Sequence, residues 1–141
     1  MLIRCLYASR AVETLATNTL DRILEKSRRN NQPRGITGLL CYSNGIFVQV
    51  LEGGREPVSA LIGTIYTDNR HTGLQLLMFE EIGERHFGNW TMGKVNIDAV
   101  NCAALLKYSE KAELDPFNAP GRATLALLVE LASTGSIANR G

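Results

Sequence analysis

Apolar residues first alternate along the chain, then recur every three to four positions, then alternate again. In residues 2–8, Ile3, Cys5 and Tyr7 share one side and Leu2, Leu6 and Ala8 the other, so both sides are mostly apolar. That pattern predicts a strand covered on both faces, near the middle of a sheet. Over 14–30 the spacing lengthens: Ala16, Leu20, Ile23, Leu24 and Ser27 form one helical stripe, Asn31 continues it, and Pro33 and Gly35 stop it. Alternation returns in 36–42 and 46–51 around Ser43-Asn44-Gly45. Asn-Gly suits the two left-handed positions of a tight hairpin, which would set Tyr42 opposite Phe47 and Leu40 opposite Gln49. Gly38, Leu40, Tyr42, Phe47, Gln49 and Leu51 then share a face. A second helix is predicted over 55–67, with Pro57 in its first turn and a stripe of Val58, Leu61, Ile62, Ile65 and Tyr66. Two further strands are expected over 74–82 and 90–97, across a polar loop from Gly83 to Asn89.

The order β-α-β-β-α-β plus a fifth strand predicts an α+β, ferredoxin-like fold, with two helices on one face of the sheet. Residues 1–97 make the sheet domain, and 98–141 a C-terminal helical extension of the same globular unit. Within the extension, Ala99 to Tyr108 and Arg122 to Ala132 read as helices. They are separated by breaks at Asp115-Pro116 and Ala119-Pro120-Gly121, and fraying is expected from Gly135. Leu105, Leu106, Leu125, Leu127, Leu128, Val129 and Leu131 exceed what one helix covers with its own stripe. Part of the extension is expected on the free face of the sheet, with the remainder available to another subunit or partner.

The chain length of 141 residues fits one domain with a core that needs neither disulfides nor metal. With 15 basic and 14 acidic residues, no global attraction to nucleic acid or to an anionic membrane is expected. Cys5, Cys41 and Cys102 form no C-x-x-C pair and read as free thiols of a reducing, cytoplasmic setting. No membrane span or signal peptide is expected.

Templates for catalysis are missing. There is no nucleophile elbow, Walker loop or dinucleotide fingerprint, and Gly53-Gly54 reads as a turn. His71 and His86 have no ligand-like cysteine nearby, so no metal site is expected. Polar residues do occupy places where a core is normally apolar. Gln49 lies between Val48 and Val50; Ser27 and Asn31 lie on a helical stripe; Tyr7 is on a strand. One at a time they have ordinary explanations: an amide satisfied by backbone, a small helix residue, an asparagine ending a helix in the left-handed conformation, a core tyrosine. Together they face one apolar-walled layer, which suggests a flat ligand with donors and acceptors at its edge.

The succession Tyr7-x-Ser9, Ile23-Leu24-x-x-Ser27-Arg28-x-Asn30-Asn31, Gly35-Ile36-Thr37-Gly38-Leu39-Leu40, Gly45-x-Phe47-x-Gln49-x-Leu51-Glu52-Gly53, Asp68-x-Arg70-His71, Phe87 and Trp90-x-Met92 resembles the BLUF family of blue-light sensors that use flavin adenine dinucleotide. The resemblance spans about residues 2–97 and is to short, stand-alone members. It implies a flavin held between the two helices, with FAD as cofactor and FMN or riboflavin as alternatives. Asn31, helped by Asn30, would bond the polar edge of the ring, and Gln49 would bridge Tyr7 and the flavin. Arg28 and Arg70 are candidates for the ring edge or phosphates, Asp68 belongs to the same motif, and His71 would lie near the ring. Ile23, Leu40, Phe47 and Ile65 would wall the site, and Ser27 lines the same stripe. Thr64 stands where related sensors often carry arginine, which weakens the expected phosphate contacts.

The resemblance implies a photoreceptor without substrate turnover. Tyr7 would give an electron and then a proton along Gln49, whose amide can rotate or tautomerise. Trp90 and Met92, expected on the fifth strand, would pass the change to 98–141 and on to a homo-oligomer or downstream signalling protein. Two other classes stay open on the residues alone: a small flavin-dependent oxidoreductase, and an interaction module that has lost its flavin.

Overall fold

A computed structural model describes residues 1–95, 97, 100, 102–134 and 137–138. The element order begins β1 (Leu2–Ala11), α1 (Thr17–Asn31), a single 3-10 turn (Gln32–Arg34), β2 (Thr37–Ser43), β3 (Ile46–Gly54) and α2 (Arg55–Tyr66). It continues with β4 (His71–Ile82), β5 (Gly93–Val95), α3 (Cys102–Tyr108), α4 (Gly121–Ser133) and β6 (Ile137–Ala138). The sheet runs β4-β1-β3-β2-β5-β6, with β5 parallel to β2 and the other pairs antiparallel. The first four strands are the ferredoxin-like core that the hydrophobic pattern predicts, with β1 central.

The hairpin has the predicted register. Tyr42 pairs with Phe47 and Leu40 with Gln49, while Asn44 and Gly45 take φ of 50° and 76°, the two left-handed positions of the turn. Tyr7 is the next partner across, opposite Gln49. The period of two then sorts side chains. Ile3, Cys5, Tyr7, Leu40, Phe47 and Leu51 face Leu20 and Leu24 of α1 and Val58 of α2. Leu6, Ala8, Leu39, Cys41, Val48 and Val50 face Leu105, Leu127, Leu128 and Leu131 of α3 and α4. The extension thus covers the sheet face opposite α1 and α2, while Leu106 and Val129 stay exposed.

Several boundaries differ from expectation. β4 begins three residues early because His71 and Thr72 pair with the end of β1. Of the strand expected over 90–97, Gly93–Val95 is described as strand, with residue 96 outside the described residues, so neither Trp90 nor Met92 is on it. Regular strand geometry would put residues two apart on one face. Here the chain bends, and Trp90 enters the core under α3 and α4 while Met92 enters the one under α1 and α2. Two hydrogen bonds fix the bend: Trp90 N–H donates to the Phe87 carbonyl, and Gly38 N–H donates to the Trp90 carbonyl at 3.0 Å. The helix expected from Ala99 is described from Cys102; residues 98, 99 and 101 lie outside the described residues. Of the fraying expected from Gly135, the described part is corrected: Ile137–Ala138 pairs with β5, and 135, 136 and 139–141 lie outside the described residues.

A buried ion pair fastens the loop before the bend. Arg4 and Glu52, on adjacent strands, meet at 2.8 Å. The Glu52 carboxylate also accepts the backbone N–H of His86 at 3.1 Å and of Phe87 at 2.7 Å. A buried charge is stable only when so surrounded. All three cysteines are free, and burial pushes the Cys5 and Cys41 thiols up to about 12, leaving them inert packing groups. No described helix is long and apolar enough to cross a membrane, and no metal-binding cluster occurs among the described residues.

Candidate functional site

α1 and α2 cover their face of the sheet incompletely and leave a cleft of about 100 Å³, open to solvent at one side. Its floor is Tyr7, Leu40, Phe47 and Gln49 from three adjacent strands. Its walls are Ile23, Ser27 and Asn31 from α1 and Leu61 and Ile65 from α2, and its lip is Asp68, Arg70 and His71. The mixture of apolar walls with a few polar groups is that of a small-molecule site.

Each polar group is placed by its element. Ser27 and Asn31 are one helical turn apart and so share a face. The left-handed explanation for Asn31 does not apply. Its φ of −88° is right-handed, and Gly35 takes the left-handed position at 69°. Asn31 is 2 % exposed, and its Oδ1 has no hydrogen-bond partner among the described residues. A buried acceptor left unpaired is unfavourable by about 1–3 kcal/mol, and Asn31 lies on the wall of the cleft.

Gln49, 4 % exposed, is not satisfied by backbone. Its Oε1 accepts from the Tyr7 hydroxyl at 2.5 Å, and its Nε2 donates to Met92 Sδ at 3.3 Å. Burial raises the Tyr7 pKa, with Cys5 and Asp68 adding in the same direction, so the phenol keeps its proton. His71 is clamped from both sides. The Ile65 carbonyl, which can only accept, takes a hydrogen bond from Nε2 at 2.6 Å, and Nδ1 lies 2.7 Å from the buried Ser9 hydroxyl. The ring meets Phe47 edge-on, with centroids 6.2 Å apart.

At the lip, the Asp68 carboxylate accepts from the Arg70 backbone N–H at 2.9 Å and from its guanidinium Nε at 3.0 Å. These bonds hold the Asp68 carboxyl at about 2.

Of the residues expected in the site, Tyr7, Ile23, Ser27, Asn31, Leu40, Phe47, Gln49, Ile65, Asp68, Arg70 and His71 line the cleft. Arg28 and Asn30 do not. Arg28 turns toward the chain before β5, where its Nε donates to the Met92 carbonyl at 3.0 Å, and Asn30 is exposed on the last turn of α1. Thr64 is exposed and back-bonds to the Ala60 carbonyl. Leu61 is an addition. Its position on the apolar stripe of α2 marked it as core, and nothing in the pattern separates a core residue from a cleft wall. Ser9 is a second addition, as the partner that orients His71.

The floor of the cleft thus presents an amide held between a protonated phenol and a thioether. A family model described as "BLUF: Sensors of blue-light using FAD" matches residues 2–93. The chain belongs to the BLUF family of flavin-binding blue-light sensors. It is 36% identical over 87 residues to photoactivated adenylate cyclase subunit beta of Euglena longa, covering 61% of this chain and 10% of that protein. It is 27% identical over 88 residues to the blue light- and temperature-regulated antirepressor BluF of Escherichia coli (strain K12), covering 62% and 22%. The chain therefore spans about a tenth of the length of the cyclase subunit. Among solved structures, BlsA in its photo-activated state matches with a TM-score of 0.81 and 31% identity over 93% of this chain and 94% of that one. BlrB, a BLUF protein in its dark state, matches with a TM-score of 0.78 and 28% identity over 95% and 96%.

Proposed function

We propose that this chain senses blue light through a hydrogen-bond switch in which Tyr7 is the electron and proton donor and Gln49 the relay. The arrangement Tyr7 hydroxyl–Gln49 amide–Met92 thioether carries the proposal. A flavin in the cleft is supported by the unpaired buried oxygen that Asn31 offers to a ring-edge donor, beside apolar walls from Ile23, Leu40, Phe47, Leu61 and Ile65. Bound there, the flavin would supply blue-light absorption and, once excited, an acceptor for one electron and for the proton that follows it.

The rest is the work of this chain. Tyr7 is a neutral phenol when it gives up an electron, and the oxidised phenol is a strong acid. Its proton leaves along the bond already made to Gln49 Oε1. An amide has an accepting end and a donating end, so Gln49 can take the proton on one side and release one on the other, or rotate so that the two ends exchange. When electron and proton return to Tyr7, the side chain of Gln49 is left in a different hydrogen-bonding pattern. Nε2 no longer needs Met92 Sδ, and Met92 is freed to shift. Because Met92 and Trp90 sit on opposite faces two residues apart, a shift at Met92 is felt in the core under α3 and α4. This is a local change biasing a neighbouring element.

Residues 1–97 then form the flavin domain and 98–141 its output extension. The exposed Leu106 and Val129 on that extension support signalling by changed association, with a second copy or a downstream protein. FAD is the cofactor the family description gives. Arg70 is the candidate phosphate contact at the lip, and extraction and chromatography of the bound flavin distinguish FAD from FMN and riboflavin.

The test is absorption before and after blue light. The parent protein is expected to show a reversible red shift. Gln49→Leu should keep the flavin and lose the shift. Tyr7→Phe should keep the flavin and show a long-lived excited state in transient absorption. A normal red shift in Gln49→Leu overturns the switch.

A further inference from the structure

Arg28 follows Ser27 and precedes Asn31 by three residues, yet it is not a cleft residue. One step along a helix turns the side chain by about 100°, which carries Arg28 off the cleft wall and across to the chain entering β5. Its Nε bonds the Met92 carbonyl at 3.0 Å. Its Nη2 is buried and has no hydrogen-bond partner among the described residues. Met92 is the residue whose sulfur accepts from Gln49.

On the β2 side, the same stretch is held by the Gly38–Trp90 hydrogen bond and by pairing of Leu39 with Gly93. On the α1 side, it is held by Arg28, and by Lys94 on Asp21 at 3.1 Å one residue pair further on. Asp21 is 56 % exposed, and such a surface pair contributes little. The Arg28 bond is charge-assisted and aimed at the backbone of the residue that positions the amide. A guanidinium with one N–H in use and another buried and unused can also follow a carbonyl through a small displacement by exchanging donors.

We propose that Arg28 is a positioning residue of the light switch: it ties the last turn of α1 to the Met92 backbone and so holds the thioether where Gln49 must find it on returning to the dark arrangement. The inference rests on the switch proposed above. If the tie is lost, Met92 samples other positions. The thioether is then available to Gln49 for a smaller fraction of the time, and dark recovery slows in proportion.

The experiment uses the flavin-loaded full chain and follows decay of the red shift in darkness after a blue pulse. Arg28→Met should keep parent-like flavin occupancy and the full amplitude of the shift, with recovery slowed about tenfold, the low end for a charge-assisted bond. Arg28→Lys, which keeps an N–H for the carbonyl, should recover closer to the parent. Lys94→Met, which removes the neighbouring tie without touching Met92, should recover within about twofold of the parent. In a Met92→Leu background, adding Arg28→Met should change recovery by no more than about twofold, because the thioether it positions is gone. Parent-like recovery of Arg28→Met at equal occupancy overturns the inference and leaves the switch standing. So does loss of flavin or a displaced dark spectrum, which would make Arg28 a flavin ligand. A parent protein with no reversible red shift removes the switch itself, and this inference with it.

Discussion

The two faces of the sheet are built from the same strands, one residue out of step, and they end differently. Under α3 and α4, Leu6, Leu39, Val48 and Val50 meet Leu127, Leu128 and Leu131, and the layer is closed by the protein itself. Under α1 and α2, the alternate residues include Tyr7 and Gln49, the helix facing them contributes Asn31, and a cleft remains. Buried polarity alone does not distinguish them. Arg4 and Glu52 are as buried as Gln49, but Glu52 accepts from Arg4 and from two backbone N–H groups. Asn31 Oδ1 accepts from nothing described. A saturated buried polar group is part of the scaffold, whereas an unsaturated one beside a cleft is the mark of a binding site.

The contrast is broken most forcefully from the closed side. Leu128→Ala should lower the unfolding free energy by about 2–5 kcal/mol, read from urea denaturation, because it leaves a hole in a layer with no ligand to fill it. The variant's folded fraction should keep the dark flavin spectrum and the amplitude of the light-induced shift. A changed amplitude would mean that the closed face sets the geometry of the open one.

From the open side the expected signs reverse. Asn31→Ala removes an acceptor that the protein leaves unpaired, so the flavin-free protein should lose little stability. Flavin retention should weaken by about 1–3 kcal/mol, since the ring edge then goes unpaired in a buried place. Equilibrium dialysis against free flavin reads the second quantity and urea denaturation of the stripped protein the first. Equal retention in parent and variant would remove Asn31 from the ring edge.

How far the sequence reaches also differs between the faces. The core strands, both flanking helices and the hairpin register follow from periods of two and 3.6 and one Asn-Gly turn, because local geometry decides them. The cleft was legible through Tyr7, Ser27, Asn31 and Gln49, polar residues at positions the pattern reserves for apolar ones. Arg28 and Asn30 do not line the cleft, because membership of a motif does not say which way a helical residue points; Ser27 and Asn31 share a face, and the residues between them do not. Trp90 and Met92 read as part of the fifth strand, which begins only at Gly93. The bend that separates them depends on Glu52 and Gly38, which are distant in sequence. Arg4 with Glu52 went unnoticed for the same reason: the pairing becomes visible only when β1 and β3 are adjacent.

The smallest expected effect lies at the lip of the open face, where Asp68 holds Arg70. In the folded chain the Asp68 carboxyl titrates at about 2 instead of its ordinary 3.8, chiefly because Arg70 donates to it. Between those values the folded protein binds fewer protons than the unfolded one, so this contribution is fully present above about pH 4 and is lost as pH falls toward 2. The side chains are 27 % and 47 % exposed, and pairs so open to water contribute only ~0.2–1 kcal/mol. Asp68→Asn should therefore lower the unfolding free energy at pH 7 by no more than that, and 1 M salt should shrink the difference. Parent and variant should converge as the pH is taken from 4 to 2, since the parent carboxylate is then protonated too. An effect as large as that of Leu128→Ala, or one that persists at pH 2, would make the lip a structural anchor like the closed face. The cleft would then be rigid at its entrance, and flavin exchange would require opening between α1 and α2 instead of movement of the Asp68–Arg70 turn.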